Sequence, residues 1–269
     1  MNWIALKSRL QTFLLNKGIY VRPGASASLF DVLDRLKPVD PGCEFLRVGR
    51  GTDGTYTLPD VLTGIEYCFS PGVGPTMVFE EEIYDRLGIK SFCIDASIET
   101  PPTSRRDFFE FSSLFLSSVT QGSFVSLDDW LEMHSKVVGQ ADLVLQMDIE
   151  GAEYGALLSA SPSTIDRFRV ILIEIHGLDL LSMPICNVMF RQFLDKLLKN
   201  HTPVYANGNN CCGALKFGDI EVPRVLELTL LRNDFMKGSA PLSRAKFSPV
   251  ANIAGTAPIE MLGWYSQNG

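Results

Sequence analysis

The sequence predicts an α/β fold with a mostly parallel, doubly wound sheet, and three observations predict it. Short apolar runs alternate with stretches of helical period along most of the 269 residues. Most of these runs end in a polar residue or a glycine, the pattern of strands whose carboxyl ends carry a site. The last two runs, "TPVYANG" and "RVLELTLLRN", have no long helical pattern between them, so one antiparallel strand is expected there.

Taken in order, "IEYCFS" (65–70) reads as a buried strand, followed by the turn "PGVGPT" and the helical run "MVFEEEIYDRLG". "KSFCIDAS" (90–97) is a second strand, and "PPTSRRDFFEFSSL" (101–114) continues from its prolines with helix-compatible spacing. "GSFVSL" reads as the third strand. The helix "SLDDWLEMHSKV" follows, with Ser126 and Asp129 as a capping-box-like start. "ADLVLQMDIE" is the fourth strand and "GAEYGALLSA" a short helix behind it. "FRVILIEIHG" (168–177) is the fifth and most β-branched strand. In the next helix Phe190, Phe193, Leu194, Leu197 and Leu198 share a face. The expected division is a helical cap at 1–45, the α/β domain at 46–234 and an extended tail at 235–269, rich in Pro, Ser, Ala and Gly.

Composition excludes several classes. With 46% apolar and 20% charged residues the chain is that of an ordinary globular protein. A net charge of −7 argues against a nucleic-acid partner, which calls for a basic face. No apolar run approaches the roughly 20 residues of a membrane helix. At the start, Trp3, Leu6, Leu10, Phe13 and Leu14 have helical spacing, interrupted by Lys7 and Arg9. That argues against a secretory signal and for an amphipathic helix docked on its own domain, with membrane-surface attachment the lesser reading. The cysteines, at 43, 68, 93, 186, 211 and 212, form no C-x-x-C pair, and Cys68 and Cys93 lie in apolar strands. A reducing, cytoplasmic setting is expected. The vicinal Cys211–Cys212 pair can be redox-active or part of a metal site, although a loop position without function explains it as well.

The strand ends carry the chemistry. Gly72-Val73-Gly74 after the first strand lets backbone approach a ligand and exposes amides at the next helix start. Asp95 lies 21 residues beyond Gly74, near the spacing at which an acidic residue bonds a ribose hydroxyl. Without a third spaced glycine or a P-loop lysine, the loop suits S-adenosylmethionine better than a dinucleotide or a nucleoside triphosphate. The fourth strand runs into Asp148, Glu150 and Glu153, the fifth into Glu174 and His176, and the sixth to Asn207. Unpaired carboxylates at the edge of a core are costly unless something binds them.

At this point the residues resemble a family. "LQMDIEGAEY" is similar to the strand-four signature of FkbM-type methyltransferases, an Asp-x-Glu-Gly-Ala-Glu run after an apolar strand. "RVGRGTDGTYTLPD", "SPGVGPTMVFEEE", "SLDDWL", "ILIEIH", "NGNN" and "VLELTLLRND" agree in order, so the similarity spans roughly Arg47 to Asp234. Two departures stand out: Asn207 replaces the histidine of a motif that often reads His-Gly-Asn-Asn, and the loop after strand one lacks an acidic residue. The resemblance implies a Rossmann-like class I methyltransferase fold with seven strands and helices on both faces. It also implies methyl transfer from S-adenosylmethionine to an oxygen, commonly a hydroxyl of a sugar or glycosylated metabolite. The partner is then a small-molecule or glycan acceptor, and a homo-oligomer stays open.

The resulting assignment places the cofactor on Gly72, Val73, Gly74, Glu80, Asp95 and Asp128, and catalysis on Asp148, Glu174 and His176. The last three also form an acceptable set for Mg²⁺ or Mn²⁺. Without a metal, His176 takes the hydroxyl proton and Glu174 orients it. Bland readings stand beside these. Glu150 and Glu153 can simply bias a helix start, and Asp128 can serve its helix start with Asp129. Glu80 and Tyr56 fit helix-face and turn roles, and His134 and His201 read as surface residues. Two other classes remain: a nicotinamide-dependent or sugar-nucleotide enzyme on a similar fold, and a non-catalytic binding domain.

Overall fold

The computed structural model describes residues 3–19, 26–49 and 54–267. The helices are α1 (Trp3–Leu15), α2 (Ser26–Leu36), α3 (Val78–Leu87), α4 (Leu127–Met133), α5 (Ser135–Val138), α6 (Glu153–Ser159), α7 (Pro162–Ile165) and α8 (Pro184–Leu197). The strands are β1 (Phe45–Val48), β2 (Tyr56–Pro59), β3 (Tyr67–Pro71), β4 (Lys90–Ile94), β5 (Phe109–Ser112), β6 (Phe115–Ser117), β7 (Phe124–Ser126), β8 (Leu143–Met147), β9 (Phe168–His176), β10 (His201–Phe217) and β11 (Ile220–Arg232).

Seven strands form one sheet in the order β10-β11-β9-β8-β3-β4-β5. β5, β4, β3, β8 and β9 pair in parallel, and β11 runs antiparallel to both β9 and β10. One strand of the seven is therefore reversed, as the paired final runs suggested. The chain builds outward through β3, β4 and β5, then returns to the other side of β3 with β8. That reversal leaves a crevice at the carboxyl ends of β3 and β8.

Both faces of the sheet are covered, so its central strands read as continuous apolar runs. On one face Phe69, Leu145, Ile171 and Ile173 meet Leu33 of α2, Trp130 of α4, Leu157 of α6 and Phe193 of α8. Trp264 and Tyr265 of the C-terminal tail join this cluster. On the other face Cys68, Val144, Val170 and Leu172 meet Phe79 and Ile83 of α3 and Tyr56 and Leu58 of β2.

Several expectations are corrected. Residues 101–114 form no helix: Phe109 and Phe111 point inward while Glu110 and Ser112 are exposed, a period of two that makes β5 the sheet's edge. The preceding loop is tied instead by Arg105, which pairs with Glu81, Asp85 and Asp107. "GSFVSL" supplies β7, which pairs only with β6 outside the main sheet. With Val125 its one buried residue, that run is too exposed for a central strand. The sixth strand does not end at Asn207 but continues to Phe217, so Cys211 and Cys212 lie within β10 rather than in a loop. The expected docking of the first helix is not seen among the described residues. Leu6, Leu10 and Phe13 stand exposed, whereas α2 buries Leu29, Val32, Leu33 and Leu36. His201 is buried, its Nε2 2.7 Å from the Phe168 carbonyl oxygen. His134 is half-buried and stacked on Phe92 at 3.8 Å. Neither is a surface residue.

Candidate active site

A cavity of about 590 Å³ opens at the switch point. That volume is within the range of small-molecule sites. The β3 loop supplies Gly72, Val73 and Gly74, β4 is followed by Asp95, and β8 by Asp148 and Glu150. Leu114, Phe115, Leu116 and Phe124, on and beside the β6–β7 ribbon, form an apolar wall.

Gly72 has φ of +84°, and a Cβ built on it would lie 1.7 Å from the Asp148 carbonyl oxygen. Only glycine lets the β3 loop pass so close to the end of β8. The Asp95 carboxylate accepts from the Gly74 N–H at 3.0 Å, the Ser97 N–H at 2.8 Å and the Ser97 hydroxyl at 2.6 Å. It is thereby fixed at the cavity wall before any ligand arrives.

Beneath the cavity lies a buried polar chain. The Ser70 hydroxyl sits between Glu80 Oε1 and Gln146 Oε1, and Gln146 Nε2 donates to the Tyr56 hydroxyl at 3.0 Å. Burial pushes the Glu80 carboxyl above its ordinary pKa. Glu80 and Tyr56 thus hold the floor together rather than serving a helix face and a turn.

The second cluster stands beyond Asp148. His176 Nε2 is 3.6 Å from Glu174 Oε1, 4.0 Å from Asp148 Oδ1 and 3.4 Å from Glu150 Oε2. Its Nδ1 lies 3.0 Å from Glu153 Oε1, the same oxygen that accepts the His176 backbone N–H at 2.9 Å. Glu153 has no exposed surface, and its other oxygen accepts the Gly151 N–H at 2.8 Å. Burial alone would lower the His176 pKa. The hydrogen bond and charge of Glu153, with the charges of Asp148 and Glu150, outweigh it and raise the value. Glu150 holds a left-handed backbone, φ +56°, a conformation uncommon outside glycine and frequent at functional loops.

Asp148, Glu174 and His176 each offer one donor atom, all within 4.8 Å of one another. A divalent cation with bonds of about 2.1 Å accepts donors up to about 4.2 Å apart, so small carboxylate rotations suffice. Two carboxylates and an imidazole are suitable chemistry for such an ion. The orienting carboxylate behind the histidine is the usual accompaniment of a ligating imidazole. The residues fit the group.

Of the residues singled out from sequence, Gly72, Val73, Gly74, Glu80, Asp95 and Asp148 line one cavity, and Glu174 and His176 join Asp148 beside it. Asp128 does not line it. Its carboxylate accepts the Ser161 N–H at 2.9 and 3.0 Å and ties α4 to the start of α7. Asn207 lies within β10 and is buried against Glu227, to which its Nδ2 donates at 2.9 Å. Asn209 reaches the cluster instead, donating to Glu174 Oε1 at 3.2 Å. Sequence reasoning missed Glu153, Gln146 and Asn209 as members of the site. A glutamine in the middle of an aliphatic strand was the signal for the second.

Next to Glu174, Asn209 also accepts the Cys211 N–H at 3.0 Å. Burial, the Cys212 thiol and the negative charges of Glu174 and Glu150 push the Cys211 thiol up to about 12.

No curated protein matches the chain. A solved structure of a fibrillarin/Nop5p complex aligns at 10% identity, over 64% of this chain and 74% of that one, with a TM-score of 0.38. The model of the methyltransferase FkbM domain matches residues 99–201, a stretch that holds β8, β9, Asp148, Glu153, Glu174 and His176. That stretch is thus similar to a methyltransferase FkbM domain, the family that the sequence resembles.

Proposed function

We propose that this methyltransferase uses S-adenosylmethionine to methylate a hydroxyl of a sugar or glycosylated metabolite. The observation that carries the reading is the adjacency of two differently built sites, a cofactor-sized cavity and a carboxylate–imidazole cluster, with Asp148 shared between them. S-adenosylmethionine, when bound, supplies an electrophilic methyl group. In this reading Asp95 accepts from the ribose hydroxyls and the Gly72–Gly74 backbone meets the methionine end. Phe115 and Phe124 offer an apolar wall for the adenine.

A hydroxyl is a poor nucleophile near neutral pH, so the acceptor needs its oxygen aligned and its proton taken. In this reading Asp148, Glu174 and His176 do both. Four carboxylates face one imidazole, an excess of negative charge that a cation relieves. Mg²⁺ or Mn²⁺ held by those three side chains would supply Lewis-acid activation of the hydroxyl. In the alternative reading His176 itself accepts the proton through Nε2, with Glu153 holding the imidazole in orientation.

Release of S-adenosylhomocysteine against a panel of glycosylated acceptors tests the reading. Methyl transfer to a hydroxyl that EDTA abolishes and Mg²⁺ or Mn²⁺ restores is expected. Transfer that ignores the chelator and rises with pH through the raised His176 pKa assigns the base role. Full activity in both Asp148→Ala and His176→Ala contradicts the site.

A further inference from the structure

Cys211 and Cys212 are both exposed, and their sulfurs lie 2.8 Å apart. Neighbouring residues of a regular strand project to opposite faces, which separates their side chains. Here the ladder between β10 and β11 jumps from Asn209↔Val225 to Ala214↔Pro223, leaving four residues opposite Arg224 alone. Gly213, with φ of +71°, shapes this bulge, and the Arg224 guanidinium donates to the Cys212 carbonyl at 2.7 Å. The interruption of the strand is what brings two adjacent thiols face to face.

We propose that Cys211 and Cys212 form a reversible dithiol–disulfide pair on the rim of the acceptor cluster. It is oxidised by exchange with a small-molecule disulfide and reopened by thiols. One cysteine attacks the disulfide oxidant as thiolate, forming a mixed disulfide and releasing one reduced thiol. The other cysteine then attacks the protein sulfur and releases the second thiol. The protein loses two electrons and two protons, and the oxidant is reduced to two thiols. Adjacent Cα atoms are about 3.8 Å apart, below the 4.4–6.8 Å usual for disulfides, so the closed ring is strained. A strained, exposed disulfide is readily reduced, and the pair closes only when the surrounding thiol pool becomes oxidising.

Ring closure has a route to the site. It must turn the backbone at Cys211, whose N–H is held by Asn209 Oδ1, and the same amide side chain donates to Glu174. Oxidation therefore loosens Asn209 and Glu174 together. That this matters to acceptor chemistry rests on the function proposed above; the closure and the loosening do not.

The full chain is treated with oxidised glutathione, alkylated, digested and weighed, with backbone amide exchange followed in parallel. The expected peptide containing residues 211 and 212 is two hydrogens lighter, resists alkylation and reverts with dithiothreitol. Exchange at the Cys211 amide should quicken several-fold on oxidation and recover on reduction. In Cys211→Ser the expected product is a glutathione adduct on Cys212 with no internal bond. Two alkylated thiols, or glutathione adducts alone in the wild type, would overturn the pair. Closure with unchanged exchange at Cys211 would overturn the link to Glu174. Neither readout uses cofactor or acceptor, so its failure leaves the methyl-transfer reading untouched.

Discussion

Glu153 holds His176 twice with one oxygen, at the imidazole Nδ1 (3.0 Å) and at the backbone N–H (2.9 Å). This fixes the ring so that Nε2 is the nitrogen left facing Asp148, Glu150 and Glu174. Glu153→Gln keeps the shape but sets an amide N–H₂ against N–H donors. We expect a loss of about 2–3 kcal/mol in urea unfolding, the scale of hydrogen bonds to a charged group. Turnover should fall by about 10–100-fold, the scale seen when a carboxylate that orients a functional histidine is removed. A residue that merely favoured the helix start would cost under about 1 kcal/mol and spare turnover.

The two loop glycines should separate. Gly72→Ala drives a Cβ into the Asp148 carbonyl, whereas a Cβ at Gly74 meets nothing within 4 Å. Gly74 still has φ of +60°, so Gly74→Ala should cost about 1–2 kcal/mol from backbone strain. Gly72→Ala should cost more than that and weaken cofactor binding as well, because the β3 loop and the end of β8 must move apart. Denaturation midpoints of the two variants provide the comparison. Equal losses would show that the close approach of the loop to Asp148 is not a constraint.

His201 should govern part of the acid limb of stability. Burial lowers its pKa despite its bond to the Phe168 carbonyl, and its Nδ1 has no partner among the described residues. A histidine with a lowered folded pKa contributes stability present above its unfolded value of about 6.5, lost as pH falls toward the folded one. His176 works in the opposite sense: its raised pKa contributes stability below about pH 6.5 that is lost as pH rises through the folded value. Stability of His201→Gln, measured by urea unfolding from pH 7 to 5, should therefore fall less steeply than wild type. The difference should be at most about 1.4 kcal/mol per pH unit for one proton. Parallel curves would place the acid sensitivity elsewhere.

Much of this site was legible because strand ends announce themselves. Gly72 and Gly74, Asp95, Asp148, Glu174 and His176 each finish an apolar run, and a parallel sheet gathers such residues on one edge. What sequence concealed depends on partners far along the chain. Glu153 looks like an ordinary first-turn acid until β9 places His176 against it. Asp128 is among the residues expected at the cofactor, yet the turn at Ser161 takes its carboxylate. Phe108, Phe109 and Phe111 suit a helix or an edge strand equally, and only pairing with β4 decides. The bulge in β10 could not be read at all, since nothing in "NGNNCCGA" says where the β11 ladder slips.

The central claim, that the cavity is an S-adenosylmethionine site with Asp95 on the ribose, is most directly tested by calorimetry on wild type and Asp95→Ala. Wild type should bind S-adenosylmethionine at one site per chain. The variant, folded as judged by its unfolding transition, should bind about 10- to 100-fold more weakly, from the loss of one charge-assisted hydrogen bond or more. No heat of binding to wild type, or equal affinity in the folded variant, would contradict it.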